Sequence, residues 1–343
     1  ACGQDPSLMT GADLKSLLDE GRPGNTYVGT GPLVIEADES DKGIGDYTAQ
    51  VGVILNLQRD HDEPENMMPS FRAFRDGCRA VCVMSDDPAL DPLRTDRTVT
   101  FGPSASGSFR VSDIVLKPDT SSFTIGDVGV NLPVPGLHNV QNASAAITAC
   151  AQMGVPMRDA ARALETYQGV ARRFDILRDD PSGVTVVDDY AHNPAKISAV
   201  IQTAHARSKR VILYFQPTGF GPTRFLRADL VRMFADTLAP HDLLYMAPIP
   251  YMGGTAVRDI SSNDLVNDVR AKGFLNAQVI ETRDAFLKEI QSLTKPGDLI
   301  AIVGGRDATL PFFARDVAGV FTPPPVDMTR ENSNTSSIEK FGV

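Results

Sequence analysis

The 343-residue chain has no apolar run approaching the roughly 18 residues that a membrane-spanning helix needs, so we predict no transmembrane segment. Its start, ACGQDPSLMT, lacks the basic segment and apolar core of a signal peptide. An excess of positive charge is also missing, because 33 basic residues face 43 acidic ones and the formal net charge is −10. Nucleic-acid binding needs a basic surface, and the basic residues here are scattered. We therefore expect neither a membrane nor a nucleic-acid partner.

Cysteine is scarce and its spacing fits no metal-binding knuckle. The four cysteines are Cys2, Cys78, Cys82 and Cys150. We interpret them as free thiols, buried in the case of Cys78 and Cys82, rather than as metal ligands. Free thiols are typical of a reducing compartment, so we expect a cytoplasmic location. No internal repeat of solenoid length is found either.

The apolar runs that are present have the length of buried strands. Hydrophobic residues make up 42% of the chain and charged residues 22%, which is typical of a globular protein. The candidate strands are PLVIEA, VGVILNL, AVCVMS, GVTVVDDY, RVILYFQP, DLLYMAPI and DLIAIVGG. Helical patterns such as SFRAFRDGCR, PAKISAVIQTAHAR and FLRADLVRMFADTLA lie between them, and this alternation predicts an α/β protein with parallel sheets. Between residues 98 and 135, short alternating strands predict a small antiparallel sheet.

The chain is long enough for two domains. We place the first at residues 1–170 and the second at 171–321, with ETYQGVARRFDIL (Glu165 to Leu177) as a hinge between them. Residues 322–343 are rich in proline and then polar, with little to bury, and we predict a disordered tail.

Acidic residues follow two of the candidate strands. The stretch LVIEADESDKG, which we interpret as the end of a buried strand, contains Glu36, Asp38, Glu39 and Asp41. After VGVILNL comes QRDHDE, with Asp60, His61 and Asp62. Ligands of α/β sheets gather at the carboxyl ends of strands, so these groups are able to converge on one cation, with oxygen ligands favouring Mg²⁺ or Mn²⁺. The alternative is that the acids are simply solvated.

Two asparagines mark the start of a predicted helix in PGLHNVQNASAAI. Asn139 and Asn142 lie three residues apart, so both amides share one helix face. Each amide offers a donor and an acceptor, which suits the edge of an adenine ring. The alternative is that Asn139 caps the helix.

Three further motifs offer charged groups beside strand ends. In ARRFD, Arg173 is placed to hold a phosphate, and in VVDDYAHNP, Asp189 is placed to accept hydrogen bonds from a ribose. His192 follows in the same loop, where a histidine is more often a loop or capping residue than a catalyst. FQPTGFGPTR is interpreted as a strand that runs into a Gly/Pro loop ending at Arg224, either a recognition loop for an anionic substrate or a turn.

Together, EADESD, NLQRDH, PGLHNVQNASAA, GVARRFD, DDYAHNP and FQP…TR resemble the Mur ligases, closest to their alanine-adding and muropeptide-recycling branches. The resemblance runs from about Asp5 to Ala318. It implies a central ATPase domain of the P-loop type with a small antiparallel sheet, followed by a Rossmann-like C-terminal domain. It also implies a reaction in which ATP phosphorylates a carboxylate, an amine attacks the acyl phosphate, and Mg²⁺ neutralises the phosphate charge. The implied substrates are a UDP-sugar acid and an amino acid or peptide.

The same resemblance assigns roles to individual residues. Glu36 and His61 match the family's magnesium ligands. The adenine would be held by His138, Asn139 and Asn142. Arg173 and Asp189 would hold phosphate and ribose across the hinge, so that nucleotide binding favours domain closure. His192 and Arg224 are assigned to the catalytic group.

Two departures from the family keep other functions open. No G-x-x-x-x-G-K-[ST] loop occurs in the sequence, and CGQDPSLMTGADLK resembles the segment that follows it, so we expect the loop and a UDP-binding domain upstream. Thr218 and Gly219 stand where alanine-adding enzymes usually carry a His-Arg pair. The first hypothesis is an ATP-dependent ligase, inactive without its P-loop. The others are a Mur-like nucleotide- or partner-binding protein without turnover, and a ligase with different substrates.

Overall fold

The computed structural model describes residues 2–39, 43–59, 62–180, 183–251, 253 and 255–321. The strands within these ranges are β1 (Ser7–Met9), β2 (Thr26–Tyr27), β3 (Leu33–Ile35), β4 (Ala49–Ile54), β5 (Cys78–Ser85), β6 (Thr98–Phe101), β7 (Val111–Leu116), β8 (Ser121–Ile125), β9 (Val128–Leu132), β10 (Asp175–Arg178), β11 (Thr185–Asp189), β12 (Arg210–Gln216), β13 (Leu243–Met246), β14 (Ala277–Val279) and β15 (Asp298–Gly304). The helices are α1 (Lys15–Asp19), α2 (Pro64–Gly77), α3 (Leu137–Gln152), α4 (Met157–Leu164), α5 (Pro194–His205), α6 (Phe220–Thr237), α7 (Ser262–Ala271), α8 (Arg283–Leu293) and α9 (Leu310–Val320). In the ranges given, no helix combines the length and the apolar character needed to cross a membrane. The predicted tail lies outside the described residues.

A six-stranded sheet organises the second half of the chain. Its order is β10-β11-β15-β12-β13-β14, with β10 antiparallel to β11 and all other pairs parallel. Side chains alternate along β12, so that Leu213 and Phe215 pack against α5, α6 and α7, whereas Tyr214 packs against α8 and α9. Both faces of the sheet are buried, and the prediction of a parallel sheet between helices is confirmed.

A second, three-stranded parallel sheet lies in the first half of the chain. Its order is β4-β5-β6, with α2 packed on one face and α3 on the other. We had assigned the run at Thr98–Phe101 to the antiparallel sheet, and this was wrong, because the strand pairs in parallel with β5. The 3-10 helix Pro88–Leu93 and the residues after it bring the chain back beside Cys82, in the middle of β5, and this makes the parallel pairing possible. The antiparallel sheet consists of β7, β8 and β9 and packs on α3 and α4.

The first sheet along the chain differs from what the sequence indicates. Strand β3 pairs in parallel with β1, which pairs with β2, and the three β3 side chains Leu33, Val34 and Ile35 are 65%, 49% and 39% exposed. The prediction that this run is a buried strand was therefore wrong for the described residues. Strands of two or three residues form a sheet that is too small to bury either face.

The cysteine prediction agrees with the structure. All four cysteines lie within the described ranges and are free thiols, with Cys78 and Cys82 buried in β5 and the other two partly buried. The predicted Gly/Pro loop after β12 is shorter than expected, because α6 begins at Phe220 and includes Pro222 in its first turn. Proline is tolerated there because first-turn N–H groups have no partner within the helix.

Candidate active site

The carboxyl ends of β11 and β15 form a crevice in the six-stranded sheet. These strands are parallel neighbours, yet β11 leads to α5 on one face and β15 to α9 on the other. Ligands of open α/β sheets bind where the connections diverge in this way. The loop after β15 closes one side: a Cβ added to Gly305 would lie 3.1 Å from His192 Nδ1, and the Arg306 N–H donates to the Tyr190 hydroxyl at 3.2 Å.

Asp189, at the end of β11, is a buried carboxylate held by backbone amides. Its Oδ2 accepts from the Phe174 N–H at 2.6 Å and its Oδ1 from the Ala191 N–H at 2.7 Å. Burial raises the pKa of Asp189 to about 6, although both hydrogen bonds and the charge of Arg173 oppose the rise. The carboxylate therefore shapes the loops at this strand end, and the predicted ribose contact stays a prediction.

Arg172 and Asp188 form a second, largely buried pair beside it. The Arg172 Nε lies 3.1 Å from Asp188 Oδ2, and its Nη2 donates to the carbonyl of Gly304 at 2.8 Å. Burial raises the pKa of Asp188, and the neighbouring guanidinium works in the opposite direction. Arg172 thus ties the segment before β10 to the ends of β11 and β15.

Arg173, two residues before β10, lies near His138 of the first half of the chain. Its side chain is exposed and its Cζ lies 5.7 Å from the centre of the Tyr190 ring. Burial lowers the pKa of His138, at the start of α3, and the charge of Arg173 lowers it further. The charge of Arg173 therefore acts on two groups from separate segments, His138 and Asp189. A neutral His138 is suited to hydrogen bonding with an uncharged ring.

The two asparagines lie on the first turns of α3, as the sequence predicts. Helix α3 begins at Leu137 with Gly136 as its N-cap, at a φ of 101° that favours glycine. The alternative that Asn139 caps the helix is therefore wrong. Its Nδ2 instead donates to the carbonyl of Pro135 at 2.7 Å. Asn142, one turn further, is exposed. Their contact with adenine stays a prediction.

His192 lies in the loop between β11 and α5. Its Nδ1 is 3.1 Å from the carbonyl of Tyr190, and the two rings meet edge to face. Because a carbonyl accepts but cannot donate, Nδ1 is the donor in this contact. The neighbouring Asn193, and not His192, caps α5 by accepting from the Lys196 N–H.

Arg224 forms its contacts with the loop after β13 of the same chain. It lies in the second turn of α6, pairs with the carboxylate of Asp259 and donates to the carbonyl of Val257 at 2.9 Å. None of the described contacts joins Arg224 to His192 or Arg173. Its predicted catalytic role stays a prediction, and its described contacts fix the loop after β13 against α6.

The candidate metal ligands are only partly described. Glu36 follows β3, is exposed, and accepts from the Gly11 N–H at 2.8 Å through Oε2. His61 and Asp60 lie outside the described residues. Within the described ranges, no group of three His, Cys, Asp or Glu side chains is placed to hold a metal ion. Glu36 still fits Mg²⁺, because this ion is commonly held by one or two carboxylates, substrate phosphates and water.

Several residues of this site were missed by the sequence reasoning. They are Arg172, Tyr190, Gly305 and Arg306. The adjacent arginines of ARRFD gave no sign of which one is buried, and only the pairing of β11 with β15 brings the Gly305–Arg306 loop to Tyr190. Positive φ angles at Arg172 (59°) and Arg306 (55°) mark both as backbone positions that non-glycine residues seldom adopt.

Comparisons with known proteins agree with this architecture. The family model "Mur ligase middle domain" matches residues 26–150, and "Mur ligase, glutamate ligase domain" matches residues 172–306. The chain is 30% identical to UDP-N-acetylmuramate–L-alanine ligase of Geobacter sulfurreducens over 321 residues, covering 88% of this chain and 67% of that protein.

Solved structures show the same fold. UDP-N-acetylmuramate–alanine ligase of Thermotoga maritima superposes with a TM-score of 0.70 at 24% identity, covering 92% of this chain and 69% of that one. The MurF ligase of the same organism, solved in complex with ADP, gives a TM-score of 0.62 at 18% identity, covering 86% and 68%. The fold is thus that of the middle and C-terminal domains of a Mur ligase. The chain belongs to the Mur ligase family.

Proposed function

We propose that this chain supplies the nucleotide-binding and amine-binding parts of an ATP-dependent ligase. The bond formed would join the carboxylate of a UDP-N-acetylmuramate-like acid to an amino acid or peptide. The observation that carries the proposal is that the charge of Arg173, just before β10, acts both on His138 at the start of α3 and on Asp189 at the end of β11. A site built from both halves of the chain suits a nucleotide held between them, and family membership supplies the reaction class.

The proposed chemistry has two displacements. A carboxylate oxygen of the acid forms a bond to the γ-phosphorus as ADP leaves. The amine nitrogen then bonds to the carbonyl carbon and phosphate leaves, while one proton departs from the nitrogen. Mg²⁺ would neutralise the phosphate charge when bound, with Glu36 as one ligand and His61 as the other. His138, Asn139 and Asn142 would bind the adenine, and Arg173 a phosphate.

His192 is the group that we propose accepts the proton of the amine. With Nδ1 directed at the Tyr190 carbonyl, the basic nitrogen is Nε2. Its loop lies at the carboxyl end of β11, against Gly305.

The identity of the amine is the open part of the proposal. Thr218 and Gly219 provide no cation for the carboxylate of an incoming amino acid. Arg306 is exposed beside Tyr190 and forms no ion pair with the residues that the structure describes. We propose that Arg306 binds this carboxylate. Arg306→Ala should raise the KM for the amino acid at least tenfold and leave the KM for ATP within a factor of two.

The test is phosphate release by the protein purified from its natural gene, with UDP-N-acetylmuramate, Mg²⁺, ATP and a panel of amino acids and peptides. Release that depends on both acid and amine supports the proposal. ADP binding without release under any combination would instead support a Mur-like nucleotide-binding protein without turnover. A cytoplasmic setting, where ATP is available, fits the free thiols.

A further inference from the structure

An arginine from the first half of the chain is bound by α6 of the second half. Arg59 follows β4, and its Nη1 donates to Asp229 Oδ2 at 2.6 Å. The same guanidinium lies 4.1 Å from the centre of the Phe225 ring, one turn earlier on α6. Its Nε donates to Glu63 Oε1 at 2.9 Å, and Glu63 is the N-cap residue of α2. One side chain therefore joins α2, the end of β4 and α6.

The segments joined by Arg59 are close in sequence to the candidate magnesium site and to the candidate amine site. In sequence, Arg59 precedes the candidate metal ligand His61 by two residues. Helix α6 begins directly after Thr218 and Gly219, which stand where the family resemblance places a His-Arg pair. The contacts of Arg59 thus bear on the distance between the proposed phosphate and amine sites. A rigid connection at this point would keep the two reacting groups at bonding distance.

The geometry favours a specific contact over a chance surface pair. Arginine's planar guanidinium uses separate nitrogens for the two carboxylates and its face for the aromatic ring. The side chains of Arg59 and Asp229 are 35% and 25% exposed, so the pair is partly shielded from water. It borders an open cleft of about 540 Å³ that also involves Gln58, Pro194 and Ser198. Opening the two halves of the chain along this cleft would break both contacts of Arg59 with α6 and leave its contact with Glu63, which lies in the same half.

We propose that Arg59 is a positioning residue that holds α6 against the β4–α2 connection and thereby aligns the amine site with the phosphate site. In this proposal Arg59 acts through α6 and does not itself bind a substrate. The expected effect on catalysis rests on the proposed ligase function. The contact between Arg59 and α6 does not, so it is testable without turnover.

The experiment compares Arg59→Ala, Asp229→Asn and Arg59→Ala/Asp229→Asn with Arg232→Ala as the matched control. Arg232 pairs with the same Asp229 carboxylate, but from within α6, so its loss removes a charge without separating the two halves. Amide hydrogen exchange is measured on the protein from its natural gene with ADP and Mg²⁺. Phosphate release is measured in parallel.

We expect both Arg59→Ala and Asp229→Asn to speed exchange at least fivefold in the first turn of α2 and around Phe225, with β12 and β15 unchanged. We also expect a kcat at least tenfold lower, a KM for ATP within threefold of the wild type, and a double variant no worse than the single ones. Arg232→Ala should match the wild type.

Equal effects of Arg59→Ala and Arg232→Ala would overturn the proposal. So would faster exchange throughout the six-stranded sheet, since that result indicates general destabilisation, or additive effects in the double variant. If no turnover is found for the wild type, the ligase function fails, and the exchange measurements alone decide whether Arg59 holds the two halves together.

Discussion

The backbone N–H of Phe174 donates a 2.6 Å hydrogen bond to the carboxylate of Asp189, fifteen residues later in the chain. This contact joins the end of the predicted hinge to the end of β11. It is made by a carboxylate that is only 5% exposed, and Phe174 itself is buried with a φ of 45°. The hinge segment is therefore anchored at its C-terminal end, and its direction is set by the strand end that also forms the crevice.

The first prediction concerns the pH dependence that this carboxylate causes. Its pKa is about 6 in the folded protein and ordinarily 3.8, so the folded state binds the proton more tightly than the unfolded state. The contribution of Asp189 to the free energy of unfolding should therefore fall by about 3 kcal/mol as the pH rises through the window between these two values. Chemical denaturation of the wild type and Asp189→Asn at several pH values isolates this contribution. The titration of all other groups affects both proteins equally and cancels in the difference between their free energies of unfolding. Parallel curves for the two proteins would contradict it.

The second prediction separates the adjacent arginines of the ARRFD motif. Arg172→Ala leaves the buried Asp188 carboxylate without its cation and should lower the free energy of unfolding by roughly 3–5 kcal/mol. Arg173→Ala removes an exposed cation and should change stability by less than about 0.5 kcal/mol. Urea unfolding measures both. Binding of a fluorescent ADP analogue should weaken in Arg173→Ala. If this variant is stable and binds the analogue as tightly as the wild type, Arg173 is not part of the nucleotide site.

The third prediction tests whether Asn142 binds adenine. Asn142→Ala should raise the Kd for ADP about tenfold, since a lost hydrogen-bonding amide at a purine edge costs on the order of 1–1.5 kcal/mol. Gln141→Ala is the control, because Gln141 is its exposed neighbour on α3 and points along a different side of the helix. Isothermal titration gives both constants. Equal Kd values for the two variants would place adenine elsewhere.

The fourth prediction concerns the proposed magnesium ligand. Glu36→Gln keeps an oxygen that is able to accept from the Gly11 N–H but removes the negative charge. We expect its affinity for Mg²⁺·ADP to fall at least tenfold at limiting Mg²⁺, with unchanged affinity for ADP in EDTA. Glu39→Gln, three residues further, is the matched control and should behave like the wild type. A Glu36→Gln protein with normal Mg²⁺ dependence would dismiss Glu36 as a ligand.

The sequence by itself was sufficient to predict the types of secondary-structure element and the protein family. Alternating β-branched runs and helical patterns predicted the parallel sheet between helices, because side-chain periodicity is a local property of the chain. The motifs around Asn142, Arg173 and Asp189 also stood in the order that the Mur ligases share. One family model ends before the hinge, at residue 150, and the other begins within it, at residue 172.

Pairing, burial and long-range contact were decided only by the tertiary structure. The direction of β6, the exposure of β3 and the burial of Arg172 but not Arg173 depend on neighbours that are distant in sequence. Arg59 and Asp229 are 170 residues apart, and nothing in either local pattern indicates their contact. The reason is physical: a residue's own segment determines which face it occupies, but the segment that packs on that face determines whether its charge is solvated, paired or buried.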